Sequence, residues 1–133
     1  MNWSKGLGVF LTALMVLVPI MNPTEANNNT TPCTPSIEPA IAVTVSDAQT
    51  GASLEATVIV KDGNFQEQLS LRGVTANGQI IYGGALERPG VYTVITLTEG
   101  YVTSILNNIK VPKDRCHVVT QKLKITLNPI ERK

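Results

Sequence analysis

The sequence predicts an all-β domain of the sandwich or barrel kind. Three observations carry that expectation. After Pro39 the chain breaks into short runs rich in Val, Ile, Thr and Tyr; Gly, Asn, Asp and Pro punctuate those runs at near-regular intervals; and no segment shows a convincing helical period. Seven strands are expected, at about 40–46, 54–61, 66–72, 79–83, 91–98, 102–111 and 118–127.

A different kind of segment precedes that region. Lys5 is followed by an uncharged apolar run from Gly6 to Met21, then by Asn22-Pro23 and polar residues, the order of the charged, hydrophobic and exit regions of a secretory signal peptide. The run is shorter than the ~20 residues a bilayer-spanning helix needs, so residues 1–26 are read as a cleaved signal, with a membrane anchor only if cleavage fails. Thr24-Glu25-Ala26 places small residues where a signal peptidase reads, which makes Asn27 the first mature residue. Cys33 lies well beyond the apolar run and does not fit a lipid-modified cysteine. The remaining chain is enough for one domain and too little for two.

Residues 27–38, rich in Asn, Thr and Pro, cannot bury a face and read as an exposed polar lead-in, with Asn28 and Asn29 each heading an Asn-x-Thr sequon. Period-two alternation then marks the buried faces of the domain at 39–128: Ile41, Val43 and Val45 in the first strand, Leu54, Ala56, Val58 and Val60 in the second, Leu123, Ile125 and Leu127 in the last. The strand at 91–98 is apolar on both faces, Tyr92 and Val94 competing with Val91, Ile95 and Leu97 for the inside. Such a strand is central or is covered on its outer side. Asp47 to Gly51, Asp62-Gly63-Asn64, Asn77-Gly78, Pro89-Gly90 and Gly100 supply the turns. Residues 129–133 form a C-terminal tail.

Cys33 and Cys116 are the two cysteines, and they bracket the strand region. An exported chain with an even count predicts a disulfide between them. Closing so long a loop contributes up to ~4.5 kcal/mol in the chain-entropy account. The formal net charge of +1 comes with no basic stripe, which excludes nucleic acid as a partner.

The order of these signals resembles the carboxypeptidase regulatory-like domains. "VTVSDAQTG" (Val43 to Gly51) matches the family's first strand and turn, and Ala56, Val58 and Val60 match its second strand. Thr75 to Gly78, then Pro89, Gly90, Tyr92 and Val94, then Gly100-Tyr101 follow in the family's order. An exported stand-alone subgroup has a Cys before the first strand and Cys-His-Val ahead of the last, filled here by Cys33 and Cys116-His117-Val118. The third strand, "QEQLS", is polar, and Thr96 and Thr98 stand where the family has Val and Ala. The resemblance implies a seven-stranded Greek-key β-sandwich of prealbumin-like fold. It also implies a noncatalytic accessory module, secreted, periplasmic or in the cell envelope, that binds a protein or an envelope component and uses no cofactor.

His117 is the only histidine, and the sequence offers it neither a nucleophile with an orienting acid nor a set of zinc ligands. The related hydroxyisourate hydrolases need several histidines. Asp47, Asp62 and Glu87 read as separate turn residues rather than a calcium site, which wants six to eight clustered oxygens. Binding is expected on a sheet edge or on the loops at 62–66 and 83–90. The alternative is a small-ligand or carbohydrate carrier; Trp3 of the signal is the sole tryptophan, so an aromatic platform would fall to Phe65 and Tyr82 exposed in one concave patch.

Overall fold

The computed structural model describes residues 31–131. The expected signal at 1–26, the start of the lead-in with Asn28 and Asn29, and the last two residues lie outside the described residues. Cys33–Lys133 group as one unit; residues 1–32 group separately, and of these only Thr31 and Pro32 are described, both exposed.

Among the described residues there are eight strands and no helix: β1 (Ile41–Asp47), β2 (Thr57–Asp62), β3 (Phe65–Gln68), β4 (Ser70–Val74), β5 (Ile80–Gly84), β6 (Gly90–Leu97), β7 (Ser104–Val111) and β8 (Gln121–Leu127). They form two four-stranded sheets, ordered β4-β5-β1-β8 and β3-β2-β6-β7. All pairings are antiparallel except that of β1 with β8, which run parallel from Ile41 opposite Gln121 to Asp47 opposite Leu127.

The period-two pattern builds a sandwich-like core. Ile41, Val43 and Val45 point inward from β1, Val58 and Val60 from β2, Tyr92 and Val94 from β6, and Ile125 and Leu127 from β8, all buried in one cluster. Leu54, Ala56 and Leu123 pack at its margin. Each fully buried aliphatic side chain is worth about 1.5–3 kcal/mol. A one-residue slip of β1 would carry three of them to the outside, so register is strongly specified.

The expected third strand at 66–72 is two strands. β3 pairs with β2 in one sheet and β4 with β5 in the other. Between them Leu69 is buried, its N–H donating to the Val58 carbonyl at 2.8 Å. This leucine anchors the chain in the core as it changes sheets, while its polar neighbours Gln68 and Ser70 stay exposed. The second expected strand crosses in the same way: the Leu54 N–H still donates to Val45 of β1, whereas Thr57 onward pairs with β6. Inward alternation runs through the first crossing and reaches Leu69 in the second because the two sheets line one core; beyond it Leu71, on the edge strand β4, is exposed.

The turn after β1 shows its chemistry directly. The Asp47 Oδ1 accepts from the Gln49 and Thr50 N–H groups at 2.7 and 3.0 Å, and Gly51, at φ 78°, closes the turn with a positive φ that a side chain would disfavour. The Tyr101 hydroxyl donates to Asp47 Oδ2 at 2.6 Å, tying this turn to the one between β6 and β7. Beyond β8, Pro129 bridges to Tyr101, and the Ile130 N–H donates to the Gly100 carbonyl.

Candidate interaction surface

The two-sided strand at 91–98 resolves into an inner and an outer set. Tyr92, Val94 and Thr96 of β6 are fully buried, whereas Val91 is 47% exposed and Leu97 39%, with Ile95 half-buried between them. Register extends this outer set across the sheet. Ile95 stands opposite Ile59 of β2 on one side and Ile105 of β7 on the other, and Ile105 is 58% exposed. The row Ile59, Ile95, Ile105, with Leu97 next along β6, forms an aliphatic strip on the outer face of the β3-β2-β6-β7 sheet, and Val91 lies beyond the polar Thr93 at the far end of the strand. Scattered surface leucines need no explanation, but a contiguous apolar patch rimmed by polar groups marks an interaction site.

The rim is segregated by charge. Lys61 pairs in register with Thr93, and Lys110 with Val91, so both exposed lysines stand at the β6 start of the face. At the other end Glu55 and Glu99 line a shallow cleft with Thr57 and Leu97. One end of the patch is therefore basic and the other acidic. Thr93 donates from its hydroxyl to Asn107 Oδ1 at 3.0 Å, beside a β-bulge where Asn108 takes a φ of 60°.

The opposite sheet presents a different outer face. Ala42 and Thr44 of β1, Ile81 of β5, and Lys122, Leu123 and Lys124 of β8 line a cleft of about 270 Å³. The two lysines stand on an edge strand, where charge also protects the edge from pairing.

Phe65 and Tyr82 lie on different sheets and form no common exposed patch. Tyr82 of β5 is buried, and its hydroxyl accepts from the Ala56 N–H at 2.9 Å. Phe65 at the start of β3 sits under the Arg88 guanidinium, 4.0 Å from ring centroid to Cζ, and meets Tyr92 edge-on at 6.2 Å. Arg88 also pairs with Asp62 at 3.0 Å, so the loops at 62–66 and 83–90 are locked together at one corner. A side chain at Gly90 would meet the Asp62 carboxylate, which would have to shift from its place beside Arg88.

Cys33 and Cys116 are joined by a disulfide, spanning 83 positions of sequence with their Cα atoms 5.3 Å apart. Next to it is a cluster the sequence left unpaired. His117 Nδ1 lies 2.7 Å from Glu87 Oε2, and its Nε2 lies 3.0 Å from the Thr34 hydroxyl. Glu87 also accepts from the Glu38 N–H at 2.9 Å and the Val118 N–H at 3.2 Å. These bonds, the Glu38 N–H first, hold its carboxyl below the ordinary range, and the carboxylate in turn raises His117. Asp114 accepts from the Cys116 and His117 N–H groups and closes the turn that presents them. Glu87 adopts a φ of 53° to make these contacts. No local signal announces this: the Glu87 side chain meets His117 only through folding. Among the described residues no three potential metal ligands cluster.

A hydroxyl, an imidazole and a carboxylate in line can activate a nucleophile. Here the carboxylate accepts from His117 and from the backbone N–H groups of Glu38 and Val118, so it ties the lead-in to the Cys-His-Val turn. The arrangement acts as a clamp between the lead-in, the 85–88 segment and the Cys-His-Val turn.

The chain matches none of the protein-family models compared with it, and no curated protein matches it. The disulfide is consistent with an oxidising, extracytoplasmic environment.

Proposed function

We propose that this protein is a noncatalytic extracytoplasmic module that acts by binding a protein or cell-envelope component through the outer face of the β3-β2-β6-β7 sheet. The observation that carries the reading is the aliphatic row Ile59, Ile95 and Ile105, with exposed Leu97 next along β6 and exposed Val91 beyond Thr93. A two-sided apolar strand in a small exported domain is most simply a strand whose outer side is covered in use. The prealbumin-like Greek-key reading and the carboxypeptidase regulatory-like resemblance fit the strand order, with β4 as an addition beside β5 and with first and last strands adjacent and parallel. Secretion through the segment at 1–26 places the module where its disulfide persists.

The test is a photoreactive residue at Ile105, with Lys124 on the other sheet as control, illuminated in the producing cells. Adducts at 105 and not at 124 are expected; adducts at 124 alone, or at neither position, contradict the reading. His117→Ala is expected to leave the adduct in place, since the clamp lies apart from the patch.

The second reading, a small-ligand or carbohydrate carrier, is favoured by one feature, the lysine-flanked cleft over Ala42, Thr44 and Ile81. Native mass spectrometry of gently purified protein decides it. A retained small molecule supports the carrier, and the bare chain mass opposes it.

A further inference from the structure

We infer that the partner on the outer face of the β3-β2-β6-β7 sheet is a second copy of this chain, related by a two-fold axis that sets the Lys61/Lys110 end of each copy over the Glu55/Glu99 end of the other. The inference rests on the reading of this face as a binding surface and names its occupant. A two-fold contact needs a patch complementary to itself. The face meets that need in shape and in charge. Ile95 stands at its centre, between Ile59 and Ile105 across the strands and between Thr93 and Leu97 along its own, with Val91 one outward position beyond Thr93. An axis through this point packs the aliphatic row of one copy on that of the other, as in face-to-face sheets about 10 Å apart.

Charge then chooses the direction. An axis along the strands would set lysines over lysines and glutamates over glutamates, which is penalised; an axis across the strands sets each basic end over an acidic one. Each opposite-charge contact then occurs twice.

Four strands at about 4.8 Å spacing make the face about 19 Å wide, and eight-residue strands make it about 26 Å long at most. That is a small interface, below the standard size for tight complexes. Association is therefore expected in the micromolar range or above, strengthened wherever the protein is concentrated or held at a surface.

The experiment is sedimentation equilibrium of the purified disulfide-linked protein from low micromolar to millimolar concentration. Four chains are compared: the parent; Ile105→Glu, with Ile95→Glu as a second probe; a doubly acidic variant, Lys61→Glu/Lys110→Glu; and a doubly basic variant, Glu55→Lys/Glu99→Lys. A near-UV circular dichroism spectrum confirms that each is folded. The parent is expected to dimerise reversibly. Either isoleucine substitution should weaken the dimer by about 100-fold or more, because a central apolar anchor is lost from both copies at once. Each charge variant should self-associate less than the parent, while an equimolar mixture of the two should form the heterodimer. A parent that stays monomeric, a dimer indifferent to Ile105→Glu, or a mixture no tighter than its parts would overturn the inference. The two readings part at the crosslink. A monomeric parent that still yields Ile105 adducts with another protein in cells removes only the second copy, whereas a monomer without adducts removes the binding surface as well.

Discussion

Glu87 and His117, thirty positions apart in sequence, meet at 2.7 Å beside the Cys33–Cys116 bridge. The contact makes stability depend on pH in two directions. His117 is raised above its ordinary 6.5, so its contribution is complete below about 6.5 and is lost as pH rises through the higher folded value. Glu87 is lowered below its ordinary 4.5, first by the Glu38 N–H, so its contribution is complete above about 4.5 and is lost as pH falls through the lower folded value. Urea midpoints are expected to be highest between those two values and to decline on the alkaline side. His117→Gln should remove the alkaline decline; an unchanged pH profile in that variant would contradict the clamp.

Thr96 is fully buried, and its hydroxyl has no hydrogen-bond partner. An unpaired buried hydroxyl costs about 1–3 kcal/mol, and Val has nearly the same shape. Thr96→Val is therefore expected to stabilise the domain by about 1 kcal/mol or more in urea unfolding. Destabilisation would show that the hydroxyl is solvated or bonded in solution.

The disulfide joins the exposed lead-in to the turn before β8 and closes most of the described chain into one loop. Replacing both cysteines by serine is expected to lower stability by about 2–5 kcal/mol, mainly by freeing the unfolded chain. An unchanged denaturant midpoint would mean that the bridge constrains little.

Asp47 is held below its ordinary 3.8, chiefly by the Tyr101 hydroxyl and then by the Thr50 and Gln49 N–H groups. Its contribution to stability is present above about 3.8 and lost as pH falls through the folded value. Tyr101→Phe is expected to move the Asp47 titration upward toward 3.8, read by NMR of the carboxyl carbon. The two backbone bonds should keep it from reaching that value. No movement would show that the hydroxyl bond does not persist in solution.

Much of the fold was legible because its signals are local. Alternation in "AIAVTVS" and "LKITL" names the inward residues of β1 and β8, and Asp47 to Gly51 names its own turn. The two changes of sheet, at Leu54 to Thr57 and at Leu69, were hidden because residues keep facing one core whichever sheet they join. The surface was half legible. Val91, Ile95 and Leu97 announced a strand apolar on both sides, but its meaning depended on register with Ile59 and Ile105, which lie far off in sequence. The same holds for the segregation of Lys61 and Lys110 from Glu55 and Glu99, and for Glu87 as the partner of His117. Tyr82 offered an aromatic for a binding platform in a domain without tryptophan; its place on β5 opposite Val43 puts it inside.

The most direct test of the account is hydroxyl-radical footprinting of the protein in its native preparation and again at high dilution, read by mass spectrometry at Val91, Leu97 and Ile105. The account predicts strong protection of these three residues in the native preparation and full reactivity on dilution, with exposed Leu71 of the other sheet reactive in both. Equal reactivity of Val91, Leu97 and Ile105 in the two states would mean that no second copy covers the face, and would contradict the two-fold association.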